Sequence, residues 1–188
     1  MKHIFYHLTA VMVVVVWGMT FISTKVLIVH GLSAQEIFLF RFLLAYAAVC
    51  PISFHRFFAR NLKDELYLVG GGVLGGSLFF FLQNMALGLT QASNVSFIIC
   101  TAPLLTAVLT VLSVRTEKVS RGFIYGSVVA LLGVGLLIFN GSFILRISPL
   151  GDLLTLLASL SWAFYSLVIR SLTRKYSPAF ITRKIFFN

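Results

Sequence analysis

The stretch Leu8-Thr9-Ala10-Val11-Met12-Val13-Val14-Val15-Val16-Trp17-Gly18-Met19-Thr20-Phe21-Ile22-Ser23-Thr24 carries no charged side chain. Continued through Lys25 to Val29 it reaches the roughly twenty residues that cross some 30 Å of hydrocarbon. Lys2 precedes the run, as a basic residue precedes a secretory signal. The run is longer than a signal's apolar region, however, and no small-residue cleavage site follows, so a retained helix is expected. Working outward from 8–29, similar runs recur at 37–54, 66–88, 94–113, 122–143 and 150–170. They predict an all-α membrane protein of about six transmembrane helices.

Composition agrees. Hydrophobic residues make up 59% of the chain and charged residues 11%, with a mean hydropathy of +1.00. A soluble domain needs roughly a quarter of its residues charged to cover its surface, so the lipid bilayer is the expected partner here. Fifteen Lys+Arg against five Asp+Glu give a formal charge of +10. No basic stripe is interleaved with stacking aromatics, which argues against nucleic acid. The basic residues fall instead between spans: Lys2, then Arg56, Arg60 and Lys63, then Arg115, Lys118 and Arg121, then Arg170, Arg174, Lys175, Arg183 and Lys184. Only Lys25, Arg41 and Arg146 lie elsewhere. That bias predicts a cytoplasmic N-terminus in the plasma or inner membrane. Cys50 and Cys100 sit in apolar segments with neither metal-ligand spacing nor a disulfide framework.

Short connectors predict antiparallel neighbours. Gly71, Gly72, Gly75 and Gly76 in the third span, and Gly122 with Gly126 in the fifth, are small-xxx-small pairs that let helix backbones approach closely. A hinge in the third helix is the alternative use of its glycines. Pro103 removes one backbone hydrogen bond in the fourth span and predicts a kink there.

The chain also echoes itself. Trp17-Gly18-Met19-Thr20-Phe21-Ile22-Ser23-Thr24-Lys25 aligns with Trp162-Ala163-Phe164-Tyr165-Ser166-Leu167-Val168-Ile169-Arg170, and Leu32-Ser33-Ala34 with Tyr176-Ser177-Pro178. An odd number of spans separates the copies, so the second enters the membrane from the opposite side, as in the inverted repeats of many secondary transporters. The expected organisation is a first five-helix repeat over 8–143 and an incomplete, inverted second repeat over 150–188, one helix plus a cytoplasmic segment. The chain stops at Asn188, where a seventh span is expected to begin, so a truncated second repeat is anticipated.

The sequence resembles the EamA family of the drug/metabolite transporter superfamily. The resemblance rests on Asn84-Met85-Ala86-Leu87-Gly88-Leu89-Thr90-Gln91-Ala92-Ser93, then Thr101-Ala102-Pro103-Leu104-Leu105-Thr106, then Glu117-Lys118-Val119-Ser120, Gly126 and Leu132-Gly133-Val134. Trp17-Gly18 and Arg41-Phe42 match the family's first two helices. It implies ten helices in two inverted five-helix repeats, and transport of small metabolites such as amino acids or related organic compounds by an exporter or permease working through alternating access. The small multidrug branch of that superfamily carries a membrane carboxylate in its first helix. This chain has none there, which disfavours that branch's exchange of cationic drugs for protons.

Ionisable and amide side chains within spans are costly and mark candidate sites. Lys25, Arg41, Gln83, Asn84 and Asn94 share the outer half of the bilayer and are candidates to line an outward-opening polar cavity, whose two cations would favour an anionic substrate group. Snorkelling to headgroups, for Lys25 and Arg41, and interhelical hydrogen bonding, for the amides, are the structural alternatives. Trp17 and Trp162 lie near the midplane, away from the interfacial belt, and are candidates to line the same cavity; plain packing is the alternative. The sequence offers no HExxH or GxSxG and no pair of intramembrane aspartates, and its histidines at positions 3, 7, 30 and 55 do not converge. No catalytic residue, metal or cofactor is expected. The competing function is a truncated, non-transporting membrane protein that binds or regulates a partner. A homodimer or partner chain supplying the missing half is a related possibility.

Overall fold

The computed structural model describes residues 2–53, 58–113, 120–139 and 148–187, and the regular structure there is helical. The helices are α1 (Lys2–Val29), α2 (Ala34–Val49, continued by a 3-10 turn over Cys50–Ser53), α3 (Leu62–Gly71), α4 (Phe79–Leu89), α5 (Ala92–Ile99), α6 (Ala102–Ser113), α7 (Arg121–Phe139), α8 (Pro149–Arg170) and α9 (Pro178–Phe187). A π-helical segment, Gly72–Leu78, joins α3 to α4, so Leu62–Leu89 is one continuous run. His55, Arg56, Arg115, Glu117, Lys118 and Arg146, with the expectations that rest on them, lie outside the described residues, as do positions 140–143 of the fifth expected span.

Among the described residues four runs are long and apolar enough to cross a membrane: Ile4–Val29, Leu62–Leu89, Ala92–Ser113 and Pro149–Arg170. A shorter apolar stretch, Arg121–Gly133, lies in α7. These five runs fall on five of the expected spans and α2 lies where the second is expected; the chain is an all-α, multi-pass membrane protein.

Local chemistry sets the helix ends. α1 stops at Gly31, whose φ of 97° is open to glycine and strained for other residues. Leu32 N–H donates to Leu27 O and Gly31 N–H to Ile28 O, both at 3.1 Å, which closes a Schellman motif. Ser33 then caps α2 in a reciprocal box with Glu36. The Ser33 backbone N–H holds the Glu36 carboxyl below its ordinary range. Asn61 Oδ1 accepts from Asp64 N at 2.8 Å to cap α3, and Asp64 and Glu65 place negative charge at that helix's positive end.

The fourth span is interrupted just before its proline. Pro103 offers no N–H to the Ile99 carbonyl, and α5 ends before Cys100 and Thr101. The Ile98 carbonyl at the break accepts from Thr101 Oγ1 at 2.6 Å and from Ser159 Oγ of α8 at 3.3 Å.

α8 is the central element, packed on α3 to α6 and the π segment. Its inner face is small and hydroxylated: Gly151, Thr155, Ala158, Ser159, Ser161 and Ala163 are buried, while Leu150, Leu153, Leu156 and Leu157 are exposed. That is the reverse of a soluble amphipathic helix and suits a lipid surround, where close backbone contact and interhelical hydrogen bonds replace the hydrophobic drive. Tyr165 and Ile169 lie over Gly71 and Gly75, and Ser161 Oγ donates to the Leu74 carbonyl of the π segment at 2.7 Å. Gly76 likewise admits α9, facing the Ile185 carbonyl. Gly122 and Gly126 differ from expectation: no described neighbour comes within 4 Å of where a side chain would start. Their face of α7 meets none of the described helices.

Two membrane faces follow from the contacts. The end of α1, the α4–α5 turn and the start of α8 share one face, because Lys25 reaches Leu87 and Thr90 while Ser148 reaches Leu89. The start of α3 and the segment after α8 share the other, which is also where α1 begins. There Asp64 accepts from Lys175 Nζ and Tyr176 Oη, each at 2.9 Å, and Lys184 pairs with Glu65. α8 therefore runs opposite to α1. α9 packs against α2, α3 and the π segment, burying Phe180, Ile181 and Ile185.

Candidate functional site

Trp17 and Trp162 meet. Their rings lie 6.0 Å apart, and Trp162 also packs against Phe79 at 4.8 Å and Tyr165 at 5.0 Å. Beneath them a core of Phe21, Leu87, Val95, Ile99 and Ala158 fills the space between α1, α4, α5 and α8.

On the other side Trp162 borders a broadly open cavity of about 710 Å³ between α6, α7 and α8. Its further lining includes Thr106, Thr110, Phe123, Ser166 and Arg170. Thr106, Thr110 and Ser166 donate their hydroxyl protons to the carbonyls of Ala102, Thr106 and Trp162 in their own helices, at 2.7–2.9 Å. Each hydroxyl oxygen keeps lone pairs with which to accept. Arg170 adds a guanidinium in the last turn of α8. The cavity thus combines an aromatic floor, accepting oxygens and a cation near one membrane face.

The polar residues expected to share an outer-half cavity are not gathered into one space. Lys25 Nζ donates to the carbonyls of Leu87 at 2.6 Å and Thr90 at 2.9 Å. These carbonyls belong to the exposed negative end of α4, so the ammonium caps that helix. Asn94 Nδ2 donates to Thr90 Oγ1 at 3.4 Å, within a polar turn that continues through Thr90 Oγ1 to Asp152 Oδ1 at 3.5 Å. Gln83 is wholly buried, and neither its Nε2 nor its Oε1 has a hydrogen-bond partner among the described residues. Arg41 and Asn84 do come together, in a separate recess of about 110 Å³ walled by Phe38, Phe42, Phe80 and Phe186.

Thr106, Thr110, Phe123, Ser166 and Arg170 were not singled out by sequence as cavity residues. A signal existed: Trp162, Ser166 and Arg170 recur every fourth residue on one face of a helix, and Thr106 and Thr110 do so on another. Among the described residues no three His, Cys, Asp or Glu side chains converge as a metal would require.

The sequence model of the EamA-like transporter family matches residues 4–139. No curated protein and no solved structure matches the chain.

Proposed function

Because the chain belongs to the EamA-like transporter family, membrane transporters of the drug/metabolite superfamily, we propose that it acts as a secondary carrier of small organic metabolites, amino acids or related compounds. In this reading it is an exporter or permease of the cell membrane that works by alternating access. The supporting observation is the cavity of about 710 Å³ beside Trp162. An apolar substrate body rests on Trp162 and Phe123, amine protons meet the oxygens of Thr106, Thr110 and Ser166, and a carboxylate turns toward Arg170. Trp17 supports Trp162 from behind.

The N-terminal face is assigned to the cytoplasm. Arg60, Lys63, Arg121, Arg170, Arg174 and Lys175 lie at the helix ends and connectors of that face, whereas the opposite turns hold none of the described basic residues except Lys25 at the end of α1. The wide flank of the cavity is left for a second copy or a partner chain to wall.

The test is uptake of a radiolabelled amino-acid mixture into proteoliposomes. Saturable uptake is expected, with Arg170→Gln raising KM for carboxylate substrates about tenfold, the loss of one charge-assisted contact. Flux no greater than in empty vesicles, with or without co-reconstituted partner, would refute the proposal.

A further inference from the structure

Arg41 poses a charge problem that the large cavity does not solve. Its guanidinium, which stays protonated at any biological pH, lies within a membrane span. Its protein contacts are Thr24 Oγ1 at 3.1 Å, through Nη1, and the Phe80 ring, 5.9 Å from Cζ to centroid. Neither is anionic. Asp64 is paired with Lys175 and Glu65 with Lys184, and Glu36 is engaged with Ser33. A guanidinium in this position is expensive unless something neutralises it.

Beside it lies the recess of about 110 Å³. Four phenylalanines wall it, and Asn84, only 1% exposed, borders it with an Oδ1 that has no hydrogen-bond partner among the described residues. The Asn84 Nδ2 has only the Ala34 carbonyl, at 3.5 Å. This is a built site: a fixed positive charge, an under-used amide and a hydrophobic enclosure that strengthens electrostatic contact. Its size favours a small group over a large substrate body. It admits a compact anion with one or two waters at about 30 Å³ each, and such a water satisfies Asn84 Oδ1. One guanidinium balances one negative charge, so a dianion would be left in excess.

We propose that Arg41 and Asn84 form a binding site for a compact monovalent anion, a halide or a carboxylate group, distinct from the cavity beside Trp162. Phe186 of α9 closes the recess, its ring 5.1 Å from that of Phe42, so anion occupancy is coupled to the seating of α9.

The test uses the full chain in nanodiscs of neutral phosphatidylcholine, at constant ionic strength, with gluconate replaced stepwise by chloride or formate. Thermal stability should rise saturably with either small anion and not with gluconate. Arg41→Gln should weaken the response at least tenfold, Arg41→Lys should keep part of it, and Asn84→Leu should weaken it severalfold. Chloride-35 line broadening of the unsubstituted protein, reversed by formate, checks the same site without any substitution. Tighter chloride would identify a resident halide, and tighter formate the carboxylate of an organic compound; both support the site. Indifference to every small anion, or an equal response in Arg41→Gln, would overturn it. So would a response that appears only when phosphatidylglycerol is added, which would place the guanidinium at a lipid phosphate.

Discussion

Replacing Gly75 by alanine adds a single methyl group at a close contact between the π segment and α8. A Cβ built there would lie 2.4 Å from both Cγ and Cδ2 of Tyr165, about 1 Å short of the 3.4 Å at which ordinary contact begins. These are the inner atoms of the ring, so swinging the phenol tip away gives no relief. α8 must retreat, and its Ser161 hydroxyl lies 2.7 Å from the Leu74 carbonyl one residue away from the intrusion. Overpacking of this kind costs about 1–3 kcal/mol. The helical preference of alanine over glycine returns at most about 1 kcal/mol. Gly126→Ala is the internal control: nothing lies within 4 Å, so only the propensity gain remains. Unfolding in mixed micelles, followed by tryptophan fluorescence, should therefore place Gly75→Ala about 1–3 kcal/mol below Gly126→Ala. Adding Tyr165→Leu to Gly75→Ala should recover part of the loss, as expected for residues in contact. If the two alanine variants had the same stability, the close approach of α8 to the π segment would be refuted. The hinge would then be the better account of the third span's glycines.

Asp64→Asn should destabilise more than Lys175→Ala, since Lys175 and Tyr176 both bond this carboxylate whereas the lysine is half-exposed and screened by solvent; equal losses in chemical denaturation would contradict this. Asp64 holds the Lys175 ammonium protonated above its ordinary value of 10.5. The pair's contribution is therefore lost as pH rises through that raised value, and lost again in acid once the Asp64 carboxylate takes up its proton, so the melting temperatures of the unsubstituted protein and Lys175→Ala should converge at both extremes and differ between them. Gln83→Leu should stabilise by about 1–3 kcal/mol by removing two unpartnered amide atoms from the core; a loss in the same assay would show that the amide is solvated by bound water. Lys25→Met should cost about 1–3 kcal/mol by uncapping α4, and hydrogen exchange at the α4–α5 turn should rise; unchanged exchange would argue against the cap.

The spans were legible because they depend on length and hydropathy, properties that each segment carries by itself. What a glycine pair touches does not. Gly71–Gly75 and Gly122–Gly126 are equivalent as patterns, yet only the first lies under a neighbouring helix. The same limit applies to the cations. Lys25 and Arg41 read alike as basic residues in the outer half of a span. Lys25 happens to reach the carbonyl end of α4, 62 residues along the chain, and Arg41 does not. The open cavity escaped notice for a related reason. Thr106, Thr110 and Ser166 look like hydroxyls bonded within their own helices, which they are. Their second role appears only once α6, α7 and α8 stand around one space.

The members of the internal echo can be placed on the structure. Ser33 caps α2, and Ser177, its counterpart, caps α9 by accepting from Phe180 N at 3.4 Å. Trp17 and Trp162, also counterparts, meet at 6.0 Å. If two inverted units are related by an axis lying in the membrane plane, equivalent residues near that axis must face each other, and equivalent residues further along each helix must part toward opposite faces. Lys25 and Arg170 do so, each eight residues beyond its tryptophan. The two ends differ in state. Lys25 is latched onto the end of α4, while Arg170 lines the open cavity. Under the alternating-access proposal, the described cavity opens on the Arg170 face. Exchanging the two conditions would require Lys25 to leave the Leu87 and Thr90 carbonyls as Arg170 closes over the cavity.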